Sequence, residues 1–416
     1  MSLMISVLME MTGFNTSILI YSGYTIVALK EESGKVMPSL RRLVHLGLCF
    51  FCALNGIVDF YADFRSGRLR WSRFLSIYRI VHNLLVLVLT TLLLLEFWNN
   101  YFRESRDSIQ LTLNFFAYFL MVYLTIISCI DCSIRLQGRI IRTLKKLQCQ
   151  EELGRRRGYT LSKGKERFLD CLLLLLIAIL TLRIGIHVAL NVLHSRMGFR
   201  HPCYCFMSEC MIFAMNSLAF LILTDICRCW WRMESGLKAI LQDPKPRTVA
   251  YQLQQIRRLE AMSQCLIDLT AEVCGIFQFV FFCYLIRNLW SGIVVGYLLI
   301  RMFLGHGRSD VEFMYLVLAF VTCIQPLMFS LLMSSVTHTT GSLLEVAKQI
   351  VRTPCRRNAQ VDRKMEWFSL QLARQHTYIT VFGTFRMNRS LAFRSSSVIL
   401  LHVLYMVQSD YSSMFK

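Results

Sequence analysis

Leu172-Leu173-Leu174-Leu175-Leu176-Ile177-Ala178-Ile179-Leu180-Thr181-Leu182 carries no charge, and with its flanks it reaches roughly 20 residues, the length of helix that crosses bilayer hydrocarbon. A surface helix would show a polar face at helical spacing, and this run has none. Leu84 to Phe97 reads the same way, with Glu96 its one charged position. Across all 416 residues, 55% are hydrophobic and 17% charged, with a mean hydropathy of +0.47. That is more apolar side chain than a soluble core of this size hides. Only six prolines interrupt the chain, which favours long helices over the short alternating segments of a barrel. The fold class expected is an all-α polytopic membrane protein.

A net charge of +20 would suggest nucleic acid in a soluble protein, but the basic residues sit in connections between apolar runs, where they act as topology signals. No nucleic-acid partner is expected. The apolar stretches are 43–62, 76–97, 110–132, 168–192, 205–227, 268–295, 311–334 and 380–409. The connection 133–167 holds eleven Lys or Arg, including Lys145, Lys146 and Arg155 to Arg157, against three acids. Connections 228–266 and 335–377 each carry seven basic residues to three acidic, whereas 98–109 and 193–204 carry two basic residues each. The alternation closes if 76–97 is the first span, running outward, and 43–62 is an interfacial or partly inserted helix at the inner leaflet. Seven spans follow, with the amino end inside and the carboxyl end outside.

Met1 to Lys30 lacks the basic start, compact apolar run and small-residue cleavage site of a signal peptide, in keeping with an amino end inside. The sequon Asn15-Thr16-Ser17 is accordingly expected to carry no glycan. This orientation is the reverse of a G-protein-coupled receptor, and that class's acidic-Arg-aromatic triplet and last-helix Asn-Pro pair are missing too. No matching pair of broken helices marks a carrier built from two halves.

Most of the sixteen cysteines, such as Cys52, Cys129, Cys274 and Cys323, lie inside apolar stretches and read as small buried hydrophobes. No metal-ligand or phosphate-loop motif appears, and Cys203 and Cys205, like Cys227 and Cys229, are one residue apart. Asp170, Asp225, Asp268 and Glu272 fall at the basic ends of spans, where carboxylates pair with neighbouring cations. No catalysis, cofactor or metal is expected. Leu253, Ile256, Leu259 and Met262, and Leu343, Leu344, Ala347, Ile350 and Val351, follow helical spacing, so the later spans should continue as helices beyond the membrane.

Polar groups in the outer halves are costly in hydrocarbon and require partners or a watery cavity. Arg183, His187 and Asn191 step by four along one helix face; Glu209, Phe213 and Asn216 share a face of the next span at i, i+4 and i+7. Phe281, Tyr284 and Arg287 mark the fifth span and Tyr315 the sixth. Aromatics mixed with sparse polar groups suit a small-molecule pocket. An interhelical Arg183 to Glu209 pair that only holds the bundle together fits the same residues. On the last helix Leu401, Tyr405, Gln408 and Ser412 share a face, with Ser409 and Asp410 beside it. Repeated around an axis they would ring the outer mouth of a pore; in a single chain they would cap the helix end.

Phe382-Gly383-Thr384-Phe385-Arg386-Met387-Asn388, Phe393-Arg394 and Leu404-Tyr405-Met406-Val407-Gln408-Ser409-Asp410-Tyr411 together resemble the carboxyl-terminal signature of insect gustatory receptors. The resemblance implies a tetrameric, ligand-gated, non-selective cation channel, formed from identical or related subunits in the plasma membrane of chemosensory neurons, on dendrite, axon and cell body. It implies a tastant held among the second to sixth spans and a pore lined by the seventh helix. The segments become 1–75, amino-terminal and interfacial; 76–334, the ligand-binding bundle; 335–377, a cytoplasmic anchor; and 378–416, the pore helix and outer tail. The family's last-helix pattern is Thr-Tyr, five apolar residues, then Gln-Phe. Here Leu401 and His402 replace the first pair, Gln408 is kept, and Ser409 replaces the Phe. The family's apolar gate falls on Tyr405 and Ser409, neither of them aliphatic, so Tyr405 would have to occlude through its ring. Arg386, Arg389 and Arg394 along the inner half would repel a permeant cation unless paired or turned toward lateral exits. The Phe and Tyr content of the pocket leans toward apolar tastants.

Overall fold

The computed structural model describes residues 37–62, 69–104, 109–194, 200–242, 248–301, 309–352, 359–374, 380–382, 385–386 and 389–414. Asn15, with its sequon, lies outside them. In chain order the described residues form α1 (Met37–Leu54), β1 (Phe60–Ala62), β2 (Leu69–Trp71), α2 (Arg73–Glu104), α3 (Ile109–Arg135), α4 (Gln137–Arg156) and α5 (Lys163–His194). There follow α6 (Arg200–Gln242), α7 (Val249–Arg301), α8 (Ser309–Arg352), α9 (Ala359–Arg374), β3 (Thr380–Val381), β4 (Phe385–Arg386) and α10 (Arg389–Met414). The two antiparallel hairpins, β1 with β2 and β3 with β4, depart from the purely helical expectation. Five helices among the described residues, α2, α3, α5, α6 and α7, are long and apolar enough to cross a membrane.

The apolar stretch 43–62 is not one helix. Gly56, at φ +64°, ends α1: its N–H donates to Ala53 O and that of Ile57 to Cys52 O, at 3.1 and 2.9 Å, a left-handed cap that satisfies the last carbonyls. The chain then turns into the hairpin, where Phe60 pairs with Trp71. Asp59 fixes this turn against the bundle. Its carboxylate accepts from Ser76 Oγ at 2.8 Å, Trp71 Nε1 at 3.2 Å and Gln137 Nε2 at 2.6 Å, and lies 3.6 Å from Arg79 Nη2. A buried charge is tolerated when its lone pairs are filled in this way.

The basic connection 133–167 is largely helical, as α4. Its buried residues Ile140, Leu144 and Leu147 recur at helical spacing and turn the charged remainder outward. After it, burial pushes the Tyr159 phenol above its usual range, and the protonated hydroxyl donates to Gln255 Oε1 at 3.2 Å. Ser162 then starts α5, its Oγ accepting from Lys165 N at 3.4 Å.

α6 runs through the centre, packed by α1, α4, α5, α7 and α8. It is enclosed on all sides, and residues from Ser208 to Leu223 are buried without interruption. Around it, α3 lies along α7, α5 along α6 and α8, and α10 along α7 and α8. The helices α6, α7 and α8 run 43, 53 and 44 residues, far beyond a bilayer's span. Ile256, Leu259 and Met262 of α7 and Leu343 and Ala347 of α8 are buried in their extensions, so these stripes pack within a single chain. The carboxylates at this end hold cations: Asp170 and Asp225 both pair with buried Arg228, and Glu272 lies 3.2 Å from Lys146. Cys52 and Cys129 are fully buried free thiols and Cys274 is half-buried, whereas Cys149 and Cys171 are exposed.

Candidate functional site

Toward the end of the bundle away from α4, charge is buried where three helices meet. Glu209 of α6 accepts from Arg287 Nη2 of α7, and its other oxygen lies 3.9 Å from Arg183 Nε of α5. Arg183 Nη1 donates to Asn288 Oδ1 at 3.3 Å. All three charged groups are more than nine-tenths buried, so the low dielectric strengthens the pairing while the ions lose their hydration. The Arg183 to Glu209 contact read from sequence is therefore the looser of two, and Arg287 is the main partner.

Leu180, Arg183, Ile184, Glu209, Ile212, Phe213, Asn216, Tyr284 and Arg287 enclose a cavity of about 10 Å³, room for a single water molecule. Asn216 Oδ1 is buried on this wall with no hydrogen-bond partner among the described residues. Of the expected pocket residues, Arg183, Glu209, Phe213, Asn216 and Tyr284 thus share one cavity. Phe281 is buried one turn away, with its ring 5.8 Å from that of Phe277, and it does not line the space. The side chains of His187, Asn191 and Tyr315 lie outside the described residues. Asn288 was missed, although it adjoins Arg287 and shares the helix with Tyr284. A single asparagine carries no periodic signal.

The last helix is split between two environments. Val403 and Met406 are buried, and Met406 packs with Ile293 and Tyr297 of α7. Asn114 Nδ2 of α3 reaches Met406 Sδ at 3.5 Å. On the other side Leu401 and Tyr405 are 67% and 60% exposed, flanked by exposed Leu404 and Gln408, with Ser409 half-buried. The Asp410 side chain lies outside the described residues. An apolar and aromatic face is thus left open along α10.

Residues 45–413 match the family described as 7tm chemosensory receptor. This chain belongs to that family. The chemosensory receptor is 50% identical over 394 residues to the Drosophila melanogaster protein named "Putative gustatory receptor 85a", a match covering 94% of this chain and 99% of that one. Its fold resembles that of the insect olfactory receptor OR5 from Machilis hrabei, with a TM-score of 0.64 at 11% identity. For the OR5 complex with eugenol the score is 0.61 at 13%. Each superposition covers 89% of this receptor and 99% of OR5. The gustatory resemblance read from the last helix thus holds over nearly the whole chain. The family is one of chemosensory receptors rather than enzymes, and this receptor is a multi-pass membrane protein.

Proposed function

We propose that this receptor is a tastant-gated, non-selective cation channel subunit, assembled with three copies of itself or of related subunits around one axis in the plasma membrane of a chemosensory neuron. The observation that carries this reading is the division of α10. Val403 and Met406 bind it to α7, while Leu401, Leu404, Tyr405 and Gln408 face away from the chain. Four such faces turned inward would line a path with Tyr405 as its narrowest ring and Gln408, Ser409 and Asp410 near its outer mouth. The spans are α2, α3, α5, α6, α7, α8 and α10, with the basic residues of α4 in the cytoplasm and the carboxyl end outside. The extensions of α7 and α8 with α9 form the cytoplasmic anchor. Exposed Arg386 and Arg394 lie at the inner end of α10, where they favour exits to the side over a straight axial path.

The ligand site is the cavity around Arg183, Glu209 and Arg287, with His187, Asn191, Phe281 and Tyr315 on its approaches. Two guanidinium groups face one carboxylate there, which favours a small aromatic or apolar compound bearing hydrogen-bond acceptors. The space holds no such molecule in this conformation, so binding must part α5 from α6 or α7. Because α7 carries both Tyr284 and the seat of α10, parting these helices moves the pore.

Expression in oocytes, with recording during tastant application, tests the assignment. Gln408→Ala and Tyr405→Ala should change permeability or leak of the ligand-evoked current. Wild-type permeability and gating in both variants would overturn the pore assignment.

A further inference from the structure

At the opposite end of the bundle, beside α4, a second cavity opens between α5, α6, α8 and α10. It measures about 520 Å³, within the range of small-ligand sites, and its wall includes Lys165, Trp231, Glu234, His338, Ser342 and Ser390. None of these residues serves the pocket or the pore described above.

The electrostatics of this wall are settled by hydrogen bonds. Glu234 accepts from Lys165 Nζ at 2.7 Å, from Lys238 Nζ at 2.6 Å and from Ser342 Oγ at 2.9 Å. One carboxylate is shared by two ammonium groups, leaving a net positive charge at the cavity. Lys165 Nζ also lies 5.3 Å above the Trp231 ring, which holds the cation over the opening. The hydroxyls of Ser334, Ser335 and Thr339 donate to their own helix backbone. Ser390 has no hydrogen-bond partner among the described residues, and the exposed His338 ring stands on α8 at the rim. The donors that remain for an occupant are therefore the ammonium of Lys165, the hydroxyl of Ser390 and a ring N–H of His338.

We propose that this cavity binds a phosphate group, held by Lys165, Ser390 and His338. A cation with two hydrogen-bond donors, beside a carboxylate already satisfied by others, suits a tetrahedral oxyanion and not a second cation. The phosphate belongs to a phospholipid headgroup or to a soluble phosphate ester. The cavity lies at the end of the bundle that carries the basic residues, which the proposed topology places at the cytoplasmic leaflet. Ser390 is the second residue of α10, so the occupant ties the start of that helix to α5 and α8. Binding does not depend on whether the receptor conducts ions.

Native mass spectrometry of the full-length receptor in detergent micelles, with dioleoyl phosphatidic acid and dioleoylglycerol as probes, separates headgroup from tail. The expected result is retention of phosphatidic acid over dioleoylglycerol, weakened about fivefold or more in Lys165→Gln and in Ser390→Asp but not in Lys145→Gln, which removes an exposed charge from α4. Ser390→Asp leaves the Lys165 to Glu234 pair intact, so its effect stands even if Lys165→Gln folds poorly. Competition by glycerol 3-phosphate identifies a soluble ester as the occupant, and persistence of the lipid against it identifies the headgroup. Equal retention of the two lipids, or an equal loss in Lys145→Gln, would overturn the site.

Discussion

Gly292 of α7 and Ile399 of α10 meet so closely that a Cβ at position 292 would lie 2.7 Å from Ile399 Cδ1 and 3.3 Å from its Cγ1 and Cγ2. One turn on, a Cβ at Gly296 would sit 3.1 Å from Val403 Cγ2. Small residues four apart let two helices approach inside a membrane, where hydrophobic burial gives little drive to association and close packing supplies it. The same α7 carries Tyr284 and Arg287 one to two turns earlier, so the seat of the proposed pore helix and the buried charge cluster lie on one rigid element.

Gly292→Val should push α10 off α7, at a cost of about 1–3 kcal/mol for overpacking. The expected outcome is a lower melting temperature in detergent and altered gating. Adding Ile399→Ala should recover much of both, because it clears the space the new side chain needs. A double variant no more stable than Gly292→Val would show that the contact does not set the spacing.

Glu209→Ala leaves Arg183 and Arg287 buried without their carboxylate and should cost about 3–5 kcal/mol. Surface expression, read by an outward epitope or by biotinylation, should fall sharply. Replacing Glu209 and Arg287 together by Met should restore expression better than either single change, while abolishing the tastant response. A response that survives in the double variant would remove the cluster from the ligand site.

Asp59→Ala should destabilise the receptor by about 3 kcal/mol, since it strips partners from Ser76, Trp71, Gln137 and Arg79 at once. Limited proteolysis should then cut first near the β1–β2 hairpin. Asp59→Asn, which keeps one acceptor oxygen, should lie between the two. An unchanged digestion pattern in Asp59→Ala would deny the carboxylate its role in holding the hairpin.

Tyr405→Ala and Val403→Ala, two residues apart, should separate conduction from stability. Val403 is 4% exposed and Tyr405 60%. Truncating Val403 should lower thermal stability by about 1–2 kcal/mol through lost packing on Gly296, whereas Tyr405→Ala should stay within about 0.5 kcal/mol of wild type and change the current. The reverse pattern would put the wrong face of α10 on the axis.

That Leu401, Tyr405 and Gln408 share one face of α10 was legible beforehand, because they recur at helical spacing and the motif around Gln408 is distinctive. The outer polar groups were legible for a related reason: a charge within an apolar run stands out against it, which drew attention to Arg183 and Glu209. Which cation takes the carboxylate was not legible. Arg183 was the partner named for Glu209, whereas the packing of α7 on α6 brings Arg287 into direct contact with that carboxylate. The hairpin after α1 was also missed, since Phe60–Ala62 and Leu69–Trp71 are too short to show a strand period and Asp59, which precedes them, is held by the distant Gln137. The cavity at Lys165 and Ser390 draws on four helices, and no local pattern announces it.

By itself the sequence determined that the chain lives in a bilayer, that it is built of long helices, that its basic residues gather in alternate connections, and that its end carries a chemosensory signature. Those properties follow from hydrophobicity, charge and short-range periodicity, which are written along the chain. Only the tertiary structure decided which charges share a carboxylate, which face of the last helix is left open, and how closely α7 and α10 approach. Those depend on the rotation and spacing of helices far apart in sequence, and they are set by the summed packing of many side chains at once.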